Sequence, residues 1–197
     1  TNFKLIPLLQ QQRGELFDEV GREDEADPLE CDVELQSSDL ALASDADFVA
    51  PPLPLSVDEE RRRAMTARLR AYGPPPYVGV TWRAGLLPAE QEIHRGKVAW
   101  VKRAPNEALG GLLRPLHASI VILQRKPDPA ERAAFVAALG REPLDASHSN
   151  DDLGDALALL SLLDEYIGVS NTNMHLLAGL PGRGARVLIQ QPPEWRW

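Results

Sequence analysis

Apolar positions along this chain fall into two textures. From Tyr77 onward they recur as short β-rich runs separated by stretches at helical spacing. Residues 77–81 (Tyr-Val-Gly-Val-Thr) read as a strand following a proline stop. Residues 119–124 (Ser-Ile-Val-Ile-Leu-Gln) form a continuous apolar run, the mark of a strand buried on both faces. Residues 142–146, 166–169 and 185–189 read as three further strands. Between the strands, 106–116 carries Leu109, Leu112, Leu113 and Leu116 at helical spacing, and 129–139 is Ala-rich and ends at Gly140. The stretch 151–163 repeats the pattern with Leu153, Leu157, Leu160 and Leu163, and 171–180 runs as a helix into the turn Pro181-Gly182. Strands alternating with helices predict an α/β fold: a Rossmann-like three-layer domain with a mostly parallel sheet of five or six strands.

The first 76 residues lack this alternation. Residues 3–9 are apolar, 15–32 are strongly acidic with Arg22 as the one basic residue, and 31–35 alternate like a short strand. Residues 49–55 (Val-Ala-Pro-Pro-Leu-Pro-Leu) read as a stiff linker, because proline fixes φ and removes a donor. A helix over 57–72 follows, with Ser56 as expected N-cap and Glu59 at the capping-box position, and Gly73-Pro-Pro-Pro76 stops it. The expected organisation is an irregular N-terminal piece over 1–55, a connecting helix over 56–76 and the Rossmann-like domain over 77–197.

Charge narrows the partners. Among 197 residues, 21 Lys+Arg stand against 29 Asp+Glu, a net charge of −8, which disfavours a nucleic-acid binder. A single cysteine, Cys31, leaves no intramolecular disulfide, and no apolar run approaches the roughly 20 residues of a membrane span. With no charged-then-apolar leader at Thr1, the expected location is cytoplasmic. His94, His117 and His148 have no partners at metal-ligand spacing, so no metal is expected.

In an open parallel sheet the ligand lies beyond the carboxyl ends of the strands, where strand order reverses. For the common order 3-2-1-4-5 that point lies between the first and fourth strands. The loops leaving them are Trp82-Arg83-Ala84-Gly85 and Ser170-Asn171-Thr172-Asn173-Met174-His175. The second enters a helix, whose first N–H groups suit an anion such as a diphosphate, while Ser170, Asn171 and Thr172 suit equally well as plain caps. His175 reads either as a core or capping residue or as a phosphate or sugar contact. The excursion 82–103 carries Arg83, His94, Arg95, Lys97, Lys102 and Arg103, a local basic cluster in an acidic chain. No Gly-x-Gly-x-x-Gly, P-loop or Gly-x-Ser-x-Gly motif is present, which disfavours nicotinamide dehydrogenases, P-loop NTPases and α/β-hydrolases.

Four motifs carry a resemblance: Val80-Thr-Trp-Arg-Ala-Gly85, Leu123-Gln124, Ser170 to His175 within 164–180, and Pro193-Glu-Trp-Arg-Trp197. In order and over about 77–197, they resemble the C-terminal half of bacterial GT-B glycosyltransferases. The likeness is to the heptosyltransferase-like group (glycosyltransferase family 9 type), in the form found behind tetratricopeptide repeats. The resemblance implies a two-Rossmann enzyme whose C-terminal domain holds a nucleotide-diphosphate sugar and needs no cofactor beyond that donor. It implies that Ser170, Asn171, Thr172, Asn173 and His175 contact the diphosphate or ribose, that Trp82, Arg83 and Gly85 shape the loop facing the donor, and that Gln124 lines the nucleotide side. The family's motif aspartate is replaced by Asn171, and the spacing from Thr172 to His175 is one residue short. By the same resemblance 1–55 is a remnant of an acceptor-side domain, most of which is missing along with the acceptor site and the catalytic base. The alternatives are a non-catalytic GT-B-like interaction module attached to helical repeats, or an unrelated Rossmann-like binder such as an epimerase.

Overall fold

The structure is a computed structural model that describes residues 4–11, 17–22, 53–84 and 102–191. The chain divides into two compact units, Thr1–Pro54 and Leu55–Trp197. In the first, α1 (Ile6–Gln10) buries Leu8, and Gln10 donates to the Val20 carbonyl. The predicted short strand over 31–35 lies outside the described residues, as does most of the proline linker.

The second unit opens with α2 (Glu59–Tyr72). Its cap is Asp58 rather than Ser56: an Asp58 carboxylate oxygen accepts from the Arg61 N–H at 2.8 Å. The expected capping box does not form, because the cap at Asp58 puts Glu59 at the first helical position, where it pairs with Arg62 at 3.1 Å. Strand β1 (Tyr77–Thr81) leads to the short β2 (Arg83–Ala84), which pairs antiparallel with β3 (Lys102–Arg103). Helix α3 (Asn106–Leu113), β4 (Ser119–Ile122), α4 (Pro129–Leu139) and β5 (Leu144–Asp145) follow. A 3-10 turn (Ser147–Asp151), α5 (Leu153–Leu160), β6 (Glu165–Val169), α6 (Thr172–Ala178) and β7 (Arg186–Leu188) complete the unit.

The five main strands are all parallel in the spatial order β5-β4-β1-β6-β7. Numbered along the chain, that order is 3-2-1-4-5. One sheet face, with Val78, Val80, Ile120, Ile122, Ile167 and Val169, packs against Leu109 and Leu113 of α3 and Phe135 and Leu139 of α4. The other face turns Gly79 toward Leu163, Leu123 and Tyr166. Both faces of the central strands β4, β1 and β6 are covered, which is why these strands are mainly apolar.

Helix ends are tighter than the apolar pattern predicts. The helix read over 106–116 closes at Leu113, and the guanidinium of Arg141 takes the carbonyls of Arg114 and Leu116 at 2.8 Å each. The helix read over 151–163 forms as α5 with closer ends: Asp152 caps its start, accepting from Gly154 N–H at 2.7 Å, and the 3-10 turn lies just ahead of it. Arg61 anchors α2 to that start, 2.8 Å from Asp152 and 2.6 Å from Asp155. Gly140 ends α4 at φ 74°, a left-handed conformation that glycine adopts without steric cost.

Candidate functional site

Strand order reverses between β1 and β6, so the loops leaving these two strands border the crevice of the sheet. Its floor is a closed triangle of polar side chains. Asn171 Nδ2 donates to Thr81 Oγ1 at 2.8 Å, and the Tyr166 hydroxyl donates to Asn171 Oδ1 at 3.0 Å. With those two roles assigned, the Thr81 hydroxyl donates to Tyr166 across 2.7 Å. Asn171 Oδ1 also accepts from Met174 N–H at 3.3 Å and so caps α6. Every polar atom of the Asn171 amide is thus engaged within the protein. Burial pushes the Tyr166 phenol up to about 12, keeping it a donor at any ordinary pH. Gly168 makes room for the triangle, since a Cβ there would lie 2.2 Å from Thr81 Oγ1.

The β1 wall is fixed by two buried side chains from elsewhere. Gln124 Oε1 accepts from the backbone N–H groups of both Trp82 and Arg83, at 3.0 and 2.8 Å. Glu131, in the first turn of α4, accepts from Trp82 Nε1 at 3.1 Å and from Arg83 Nε at 3.2 Å, with Arg103 at 3.6 Å. Its own carbonyl accepts from Asn106 Nδ2 at 2.7 Å, which ties in α3. Trp82 is wholly buried and stacks on Phe135 with ring centroids 5.2 Å apart. Arg83 is also buried and donates to the Lys126 carbonyl at 3.1 Å. Trp82, Arg83 and Gln124 therefore sit beside the crevice as its framework, with their side chains turned inward.

On the β6 side, Ser170 and Asn173 are buried, Asn171 is half-buried, and Thr172 and His175 are exposed. Asn173 Nδ2 donates to the Leu123 carbonyl at 3.3 Å, which also accepts from Asn150 Nδ2 at 2.9 Å. Asn173 Oδ1 is buried without a hydrogen-bond partner. Lys102, from β3, brings Nζ to 3.4 Å from Ser170 Oγ and so joins the two walls. Gly85, His94, Arg95, Lys97 and the Pro193–Trp197 motif lie outside the described residues. The structure adds Thr81, Glu131, Asn150 and Tyr166 to the residues singled out from the sequence, and it brings Lys102 of the basic cluster to the crevice. Thr81 and Tyr166 lay within the quoted motif stretches, whereas Glu131 and Asn150 had no signal. Among the described residues, no group of three His, Cys, Asp or Glu is placed to hold a metal ion, and no helix is long and apolar enough to cross a membrane.

No protein-family model matches the chain, and no curated protein matches it. Among solved structures, the chain is similar to a glycosyl transferase family 9 protein from Veillonella parvula, with a TM-score of 0.52 and 17% sequence identity. The match covers 72% of this chain and 40% of that one, so the chain spans about two-fifths of that protein's length. The likeness is one of fold: a Rossmann-like α/β domain with an all-parallel five-stranded sheet.

Proposed function

We propose that the unit Leu55–Trp197 is the donor-binding half of a glycosyltransferase that moves a sugar from a nucleotide-diphosphate sugar to an acceptor. The observation that carries this reading is the crevice between β1 and β6. It lies at the switch point of a 3-2-1-4-5 sheet, with Ser170, Thr172 and Asn173 on one wall and Lys102 reaching across from the other. The family 9 likeness in fold and the motifs at 82–85 and 170–175 support the same substrate class.

Chemically, breaking the bond between the sugar and the diphosphate builds negative charge on the leaving phosphate. Fixed donors at the crevice stabilise that charge without having to reorganise. Ser170, Thr172 and the first turn of α6 stand closest to where it develops, and His175 lies one turn further along the same helix. Trp82, Arg83, Gly85 and Gln124 shape the facing loop. The catalytic base and the acceptor site belong to a companion N-terminal domain, and the repeat-associated architecture and cytoplasmic location are part of the same proposal. The experiment is a thermal-shift titration of the full chain with ADP, GDP and UDP. At least one raises the melting temperature; no shift with any of them at millimolar concentration removes the reading.

A second reading is favoured by one observation. Both ends of the Asn171 amide are spent on the floor triangle and the α6 cap. A motif side chain that serves the floor and the helix cap fits a non-catalytic GT-B-like module that serves protein interaction. That reading predicts a full-length protein that folds normally and never hydrolyses a sugar nucleotide.

A further inference from the structure

We propose that the outer face of α2 forms a docking groove for an acidic, extended peptide segment of a partner protein. The inference is independent of the donor-site reading, since none of its residues takes part in the crevice.

Helix α2 holds five arginines, Arg61, Arg62, Arg63, Arg68 and Arg70, out of 21 Lys+Arg in a chain of net charge −8. Two of them are committed to the fold. Arg61 meets Asp152 and Asp155 at the start of α5, and Arg68 donates to the Asp145 carbonyl at 2.7 Å and to His148 Nε2. The other three stand exposed. Residues four apart are neighbours on a helix surface, so Arg62, Thr66 and Arg70 form one row and Arg63 and Ala67 the row beside it. Leu162, half-buried in the turn between α5 and β6, completes the lining of a groove of about 460 Å³ along this face.

Helix stability does not account for the outer arginines. Arg62 and Arg63 lie close to the start of α2, where the helix dipole disfavours cations. Arg62 pairs with Glu59 at 3.1 Å, an exposed pair that a competing carboxylate displaces at little cost. Arg63 donates from Nε to the Glu59 carbonyl at 3.2 Å. Its terminal nitrogens, like the whole Arg70 guanidinium, have no partner among the described residues. A guanidinium fork matches a carboxylate with two parallel hydrogen bonds. Between the charged ends, Ala67 and Leu162 give the groove an apolar middle, which suits an aliphatic side chain better than a bare phosphate. At a rise of 1.5 Å per residue, Arg62 and Arg70 are about 12 Å apart along the helix. An extended chain covers that span in roughly three or four residues. The matching ligand carries carboxylates at that spacing with an apolar side chain between them. A nucleic acid offers a longer run of negative charge, which the net charge of −8 repels.

The test follows the amide NMR spectrum of the full, isotope-labelled chain as the synthetic peptide Glu-Glu-Leu-Ala-Glu-Glu is added to millimolar concentration. The signals of residues 62–70 and of Leu162 move saturably, and added salt weakens the effect. The glutamine counterpart Gln-Gln-Leu-Ala-Gln-Gln leaves them in place, and Glu-Glu-Ser-Gly-Glu-Glu, which lacks the apolar centre, binds more weakly than the first peptide. Arg63→Gln combined with Arg70→Gln lowers the affinity about 3- to 30-fold, the range for two exposed ion pairs. Both side chains are exposed, so the melting temperature of this double variant stays near that of the wild type. Arg186→Gln, which removes an exposed arginine of β7, leaves the affinity unchanged. Absence of saturable shifts, or shifts confined to another part of the unit, overturns the proposal. So does an affinity that survives the double substitution intact. A short oligouridylate that moves the same signals more strongly than the peptide overturns it in favour of a nucleic-acid surface. No nucleoside diphosphate enters this titration, so its failure leaves the donor-site reading standing, and the failure of that reading leaves the groove standing.

Discussion

Replacing Gly168 by alanine puts one methyl group into the floor of the crevice. The added Cβ would lie 2.2 Å from Thr81 Oγ1, 3.0 Å from the Thr81 carbonyl oxygen and 3.1 Å from the Tyr166 hydroxyl. The first distance is far inside contact, and the second involves backbone of the neighbouring strand, which cannot swing away. Thr81 has to leave the triangle, or β1 and β6 have to separate where Thr81 pairs with Gly168. Overpacking a close-packed interior costs about 1–3 kcal/mol. Disconnecting Thr81 from Tyr166 and Asn171 adds roughly 1 kcal/mol for each net hydrogen bond lost. The expected cost is about 3 kcal/mol, a shift of roughly 6–12 °C in melting temperature for a unit of this size. Urea unfolding followed by tryptophan fluorescence measures it, and the slope with urea stays that of the wild type. The substitution also tilts the Asn171 cap and therefore weakens any ligand held at α6. A Gly168→Ala protein with an unchanged urea midpoint would refute the reasoning, because it would mean that the triangle is not packed as described.

Two neighbouring glycines in α3 make a sharp pair. A Cβ on Gly110 would lie 2.6 Å from the Phe135 carbonyl and 2.8 Å from the Ala138 Cβ, whereas one on Gly111 meets nothing within 4 Å. Gly110→Ala lowers the urea midpoint by the equivalent of about 1–3 kcal/mol through overpacking against α4, while Gly111→Ala raises stability by about 0.5–1 kcal/mol through helix propensity; equal effects would sink the close α3–α4 approach. Tyr166 predicts an alkaline limit. Its phenol titrates at about 12 in the folded protein against 10.0 as the reference, so the unfolded chain loses that proton first. The stabilisation is complete below pH 10, is lost as pH rises from 10 toward 12, and amounts to roughly 1.4 kcal/mol per pH unit within that window. Urea midpoints at pH 8, 10 and 11 fall less steeply in Tyr166→Phe than in the wild type; parallel falls would contradict the buried phenol.

The strands were legible because a parallel sheet covered on both faces leaves an uninterrupted apolar signature, as in Ser119-Ile-Val-Ile-Leu-Gln124. The strand order expected is the common 3-2-1-4-5, and that is the order the sheet has. Helix starts were harder to read, since several residues can cap and only local geometry chooses. Asp58 prevails over Ser56 at α2, and Asp152 rather than Asn150 or Asp151 caps α5. At the crevice, Asn171 was visible as a cap or a ligand, and its side chain does the first. Glu131 was invisible for a physical reason. An acid in the first turn of a helix reads as a solvated residue favoured by the helix dipole. Its burial depends on Arg83, 48 positions earlier. Gln124 stands out through its motif, but its structural role is not readable, because its two bonds to the β1 loop span more than 40 positions.

The most direct test of the account is a crystal structure of the full chain with a bound nucleoside diphosphate. The account predicts the diphosphate between the carboxyl ends of β1 and β6, in contact with Ser170 and Thr172 and within reach of Lys102. A diphosphate bound elsewhere on the unit, or a crevice left empty beside a nucleotide held at another site, would contradict it.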